Sequence, residues 1–179
     1  NLELILAHHW YLNGQQQAIS AIVSGKKDYG MSQGSNYVLF DTTGDGAVKY
    51  QNKEATGWGM AFNDDTSEIA AFNTTRITLG GLQLLQANGT LSAHLIRSTG
   101  RIVLSVNTME RNGFIDYPRT VRVRVNVSEM SAEGGYTITK SNGKAVPIVD
   151  ETGDNLTFDV QSGQNSEFYV ISGAVPCIM

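Results

Sequence analysis

Apolar and polar positions alternate with a period of two through most of the chain. From Thr120 to Val127, Val121, Val123, Val125 and Val127 share one side while Arg122, Arg124 and Asn126 share the other. Successive side chains leave a strand on opposite faces, so this is the pattern of a strand with one wet face. Leu2, Leu4, Leu6, Trp10 and Leu12 repeat it near the start, Ile102, Leu104 and Val106 in the middle, and Leu156, Phe158 and Val160 towards the end. Between such runs stand dipeptides suited to tight turns: Asn-Gly at 13–14, 88–89, 112–113 and 142–143, Thr-Gly at 43–44, 99–100 and 152–153, and Gly-Gly at 80–81 and 134–135. Asn and Gly tolerate the positive φ that two-residue hairpin turns demand.

The pattern predicts one all-β domain over 1–179, an antiparallel β-sandwich or jelly-roll-like barrel of consecutive hairpins. Residues 1–75 are less regular, and 76–172 read as a hairpin meander. Within it, Leu82–Gln86 and Thr90–Arg97 are expected as separate strands about the Asn88-Gly89 turn, and Phe114–Val127 as one strand. At most one short helix is expected, where Asp64, Asp65 and Glu68 precede Ile69–Phe72 and would suit the positive end of a helix dipole. Gln15–Val23 could be helical, but Ile19, Ala21 and Val23 alternate just as well and the segment is read as a strand. Pro118 and Pro147 imply edges or bulges, because proline cannot donate to a ladder.

Composition sharpens this picture. Charged residues make up 17% of the chain, below the roughly 25% of an average globular protein. A length of 179 residues is enough to bury a core without disulfide staples. The formal charge is −4 with scattered basic residues, which speaks against nucleic acid as a partner. No apolar run approaches the roughly 20 residues that span a bilayer, so no membrane insertion is expected. The first residue, Asn1, follows no basic, apolar leader, as in a mature or excised piece. Cys177 is the only cysteine, so no internal disulfide forms. Asn73, Asn88, Asn126 and Asn155 head Asn-x-Ser/Thr sequons, candidate glycan sites in a eukaryotic secretory pathway.

Several constellations bear on chemistry. His8 and His9 stand on opposite faces of a strand and cannot readily share an ion, and His94 is the only other imidazole. Trp10, Tyr11, Tyr50 and Trp58 are the candidate ligand-binding residues, since aromatic faces suit the C–H surfaces of sugar rings. Asp41, Thr43 and Asp45 fall at positions 1, 3 and 5 of a calcium-loop spacing, with Gly46 at position 6; Thr43, Lys49 at position 9 and Asn52 at position 12 depart from it. A turn between two strands is the other reading, and calcium is the only cofactor the sequence raises. Asp41, Asp45, Glu54, Asp64, Asp65 and Glu68 crowd one third of the chain, but a glycoside hydrolase needs two carboxylates across a cleft, which spacing does not establish. Gly57-x-Gly59 lacks the strand–helix frame of a phosphate loop. Arg119, Arg122 and Arg124 either grip an anion or pair with carboxylates on a neighbouring strand. No catalytic residue is assigned.

The run Thr120–Ser128, then Gly135-Tyr-Thr-Ile-Thr-Lys-Ser-Asn-Gly-Lys-Ala-Val-Pro, Asn155-Leu-Thr-Phe-Asp-Val and Glu167-Phe-Tyr-Val-Ile-Ser resembles the C-terminal accessory β-sandwich domains of glycoside hydrolases. The resemblance covers residues 120–172 only. It implies a domain packed beside a catalytic barrel and holding no catalytic residue of its own. The leading expectation is therefore a non-catalytic β-sandwich module of an extracellular carbohydrate-active or surface protein, with carbohydrate as its partner. The rival is a structural or assembly subunit of a virion, fibre or pilus, whose partners are other copies of itself. Asn1–Leu12 and Ala174–Met179 are apolar ends suited to strand addition.

Overall fold

The structure is a computed structural model that describes residues 19–24, 28–41, 46–112, 115–130, 132, 134–162 and 165–173. Strands β1 (Ile19–Ser24), β2 (Asp28–Gln33), β3 (Asn36–Asp41), β4 (Ala47–Tyr50), β5 (Lys53–Thr56) and β6 (Gly59–Asn63) lead to two long strands, β7 (Glu68–Leu79) and β8 (Leu82–Ser98). Then come β9 (Arg101–Asn107), β10 (Met109–Asn112), β11 (Ile115–Pro118), β12 (Val121–Asn126), β13 (Tyr136–Lys140), β14 (Ile148–Thr152), β15 (Asn155–Val160) and β16 (Glu167–Gly173). All pairings are antiparallel, and no helix occurs among the described residues.

The hairpin of β7 and β8 is the spine. Gly80 and Gly81 turn it with φ of 58° and 87°, left-handed values that glycine adopts without a Cβ penalty. Register shifts between Ala71 and Arg76 bend β7 in mid-course, as bulges do. Its first half pairs with β6 and its second half with β5. The first half of β8 pairs with β12 and its second half with β9. Two leaves therefore spread from one bent hairpin. The first runs β1-β2-β3-β6-β7-β8-β9-β16-β13, and the second runs β4-β5-β7-β8-β12-β15-β14.

The leaves face each other over one buried cluster, and the sheet stays open rather than closing into a barrel. Val121, Val123 and Val125 of β12 and Leu156, Phe158 and Val160 of β15 turn inward, each at most 1% exposed. Burying each such side chain contributes roughly 1.5–3 kcal/mol. The Phe158 ring meets that of Tyr169, from β16 in the other leaf, at 5.9 Å between centroids. The Tyr169 hydroxyl donates to the Gln161 carbonyl at 3.0 Å and accepts the Gln161 N–H at 2.8 Å. Close by, the Thr108 N–H donates to Ser162 Oγ at 2.8 Å and the Ser162 N–H to Thr108 Oγ1 at 3.0 Å, both residues being buried.

Four expectations change. Residues 64–67 form a tight turn and not a helical one: the Ser67 N–H bonds Asp65 Oδ1, the Glu68 N–H bonds Asn63 Oδ1, and Thr66 holds φ of 58°. With those backbone groups taken by side chains, Ile69 and Ala71 point inward along β7. Asn88-Gly89 is not a turn but lies within β8, where Asn88 Oδ1 accepts the Arg122 N–H and the Arg119 guanidinium packs over Gly89. The expected strand Phe114–Val127 is broken at 119–120 into β11 and β12. Nor do the later strands pair in simple succession, because β12 returns beside β8 and β16 inserts between β9 and β13. Pro118 ends a two-stranded ribbon, and Pro147 follows the Thr139–Ala145 bridge that covers the edge of β13.

Candidate functional site

The first leaf hides one face against the second, while its other face is open. On the buried side stand Leu39 of β3, Met60 and Phe62 of β6, and Ile69 and Ala71 of β7. Cross-strand register fixes what shares the open side, since directly opposed residues in an antiparallel pair project together. Tyr29 lies opposite Phe40, Phe40 opposite Gly59, and Gly59 opposite Phe72. These three rings are 41%, 38% and 41% exposed. A Cβ on Gly59 would stand 3.1 Å from Phe40 Cδ1 and 3.3 Å from Phe72 Cδ2, so the two rings lean in over the glycine. With strands about 4.8 Å apart, the row from β2 to β7 is about 14 Å long.

Trp58, in the bend that leads into β6 beside this row, is 67% exposed. Its N–H donates to the Phe72 carbonyl, and its carbonyl accepts the Asp41 N–H. Gly57 allows that placement: with φ of 112°, it brings its backbone against the β7 bulge, where a Cβ would lie 2.4 Å from the Phe72 carbonyl oxygen. The neighbouring Thr56 Oγ1 accepts the N–H groups of Thr75 at 2.9 Å and Arg76 at 3.0 Å. The Gly57-Trp58-Gly59 segment is thus a device that presents one ring and seats two others.

One register step away, the open face carries Val38, Ala61, Ala70 and His94 in a line across the strands. The two alanines leave a shallow depression of about 170 Å³, bordered by Asn36, Asn63 and Glu68. That is smaller than an enclosed small-molecule pocket, roughly 300–1,000 Å³, and suits one ring or part of one. His94 Nε2 lies 2.7 Å from Glu68 Oε1. The Asn63 amide is committed to Ser67 Oγ and the Glu68 N–H. Asp65 lies in the turn that follows β6, where the Ser67 N–H lowers its pKa, whereas Asp64 bonds the hydroxyl of Tyr37 on the other side of the sheet and raises its pKa. Among the described side chains on the open face of β3, β6, the first half of β7 and the second half of β8, none is Lys or Arg.

Of the candidate ligand-binding residues, Trp58 is exposed in the bend between β5 and β6. Tyr50 is half-buried on the other side, with its ring 5.7 Å from Tyr37 and 5.9 Å from Phe62, and the Lys53 ammonium lies 4.7 Å over Phe62. Trp10, Tyr11, His8 and His9 lie outside the described residues. So do Thr43 and Asp45; Asp41 Oδ2 accepts the Gly46 N–H at 2.8 Å, as in a side-chain-capped turn. No cluster of three His, Cys, Asp or Glu occurs among the described residues. Arg122 bonds Asp159 from the neighbouring strand at 2.9 and 3.1 Å, which lowers the Asp159 pKa, whereas Arg119 bonds the carbonyl and hydroxyl of Thr90.

Sequence reasoning missed Tyr29, Phe40 and Phe72. A signal existed: Tyr37–Phe40 and Ile69–Phe72 are unbroken apolar runs, and a strand apolar on both sides has both sides in contact with something. The chain matches no family model and no curated protein sequence, so its own residues carry the functional reading.

Proposed function

We propose that this domain is a non-catalytic, glycan-binding module of an extracellular carbohydrate-active or surface protein. The observation that carries this reading is the exposed row Tyr29, Phe40 and Phe72. Aromatic faces stack on the apolar C–H faces of pyranose rings, and the amide, carboxylate and imidazole groups one step away supply hydrogen bonds for hydroxyls. Affinity electrophoresis through gels containing individual soluble polysaccharides tests it. Wild type is retarded by at least one polymer, and Phe40→Ala and Phe72→Ala restore free mobility. A wild-type protein that no polymer retards refutes the reading.

A second reading, an assembly subunit, has its own support. Ile96 and Phe168, 44% and 46% exposed, extend the same open face across β8, β9 and β16 beside Val103 and Val170. Such a patch suits a second copy of this chain. Sedimentation velocity decides it, since a monomer at every concentration excludes assembly.

A further inference from the structure

The open face also specifies what kind of glycan it takes, an inference that rests on the glycan-binding reading. We infer that the ligand is an uncharged, flat glycan of equatorially linked pyranoses, laid across the strands, and that acidic glycans are rejected. Three features of the face lead there.

The first is shape. Ala61 and Ala70, directly opposed on β6 and β7, carry no long side chain, and the ring row beside them runs in the same cross-strand direction over about 14 Å. A surface that long accepts several sugars in one extended chain, and the depression over the two alanines holds part of one ring. An equatorially linked chain is a ribbon that can lie along such a row, whereas an axially linked chain coils away after one or two contacts.

The second is sidedness. Aromatic rings line one flank, at Tyr29, Phe40 and Phe72, while Asn36, Glu68 and His94 line the other. A ribbon of equatorially substituted pyranoses matches this division, because its C–H faces are apolar and its edges carry the hydroxyls. The Glu68 carboxylate accepts two hydroxyl hydrogens, and the Asn36 amide both donates and accepts.

The third is charge. Glu68 stands along the polar flank with Asp65 in the turn beside it, and His94 is held against Glu68 at 2.7 Å. No Lys or Arg stands on this part of the face among the described side chains. A uronate or sulfate brought here would meet carboxylates with no guanidinium or ammonium to receive it, a like-charge approach that costs affinity.

Affinity electrophoresis of the full chain, through gels of hydroxyethyl cellulose, pullulan or polygalacturonate, tests the inference. Wild type is expected to be retarded by hydroxyethyl cellulose at least tenfold more than by either of the other two. Phe72→Ala, at a half-exposed site in the ring row, is expected to weaken that interaction about tenfold. Glu68→Gln keeps the shape and removes the charge, and should narrow the gap between the neutral and acidic polymers. Retardation by pullulan alone, or equal or stronger retardation by polygalacturonate, overturns the inference while leaving the glycan reading in place. Retardation by no glycan at all overturns both. A gap unchanged in Glu68→Gln overturns the part assigned to charge.

Discussion

Gly57→Ala is the sharpest test of how the spine and the open face are joined. An alanine at φ of 112° lies outside the conformations that L residues adopt, which costs about 1–3 kcal/mol. Its methyl group would stand 2.4 Å from the Phe72 carbonyl oxygen and 2.5 Å from that of Asn73, distances at which backbone must move. Forcing extra volume into a packed site adds about 1–3 kcal/mol. The expected loss is about 3–5 kcal/mol, a large share of the roughly 5–15 kcal/mol that holds a domain folded. Gly143→Ala supplies the control. Gly143 has φ of 79° with no atom within 4 Å of the added methyl, so it bears the conformational cost alone, about 1–2 kcal/mol. Urea denaturation monitored by tryptophan fluorescence gives both values, with the slope m unchanged if neither variant alters the unfolded state. The expected difference is about 2–3 kcal/mol, or about 5–10 °C in Tm. Equal losses in the two variants would show that close approach to β7 is not what Gly57 provides.

Three further outcomes follow from particular contacts. Tyr169→Phe strips a buried hydroxyl from both backbone groups of Gln161 and should cost about 1–3 kcal/mol in chemical denaturation; an unchanged midpoint contradicts the clamp. Thr66→Asn relieves a β-branched residue held at φ of 58° and should raise stability by roughly 1 kcal/mol, whereas a loss means the Thr66 side chain has a role of its own. Glu54, bonded mainly by Lys49, Asp159, bonded by Arg122, and Glu167, bonded by Ser141, all have lowered pKa values in the folded state. A lowered folded pKa contributes stability that is present in full above the unfolded value, near pH 4, and is lost as pH falls through the folded value. Thermal melts should therefore hold steady from neutral pH to about pH 5 and then drop, with a smaller drop in Asp159→Asn; a Tm that rises on acidification contradicts the assignment.

What the sequence disclosed is parity. The valines of β12 and the alternation of β15 and β9 mark their buried sides correctly, because a strand with one wet face has only one arrangement. Turns with local chemistry were equally legible, as at Gly80-Gly81 and Asn142-Gly143, where the Asn142 side chain accepts the Lys144 N–H. Asn88-Gly89 carries the same local signal, yet its partners are Arg119 and Arg122, some thirty residues on; long-range pairing overrode turn preference there, and no local window contains that information. The acidic turn at 64–67 misled for a related reason, since Asp and Asn cap hairpin turns as readily as helices. The open face was hidden by a symmetry: in Tyr37–Phe40 both parities are apolar, and only the position of the second leaf decides that Leu39 is covered while Phe40 is not. Thr56, which pins the bend in β7 from another strand, has no signature at all in a linear reading.

The place of β16 in the sheet has a consequence for synthesis. Residues 167–173 pair with β9 on one side and β13 on the other, so the last of the described strands to be translated occupies an interior position. Until it leaves the ribosome, the apolar edge of β9 stays open on the nascent chain, and its closure spans about sixty residues of intervening sequence. Pairings over such separations form slowly and expose unpaired edges meanwhile. Expression yield should therefore respond to chaperone supply and growth temperature more than to the equilibrium stability of the finished domain.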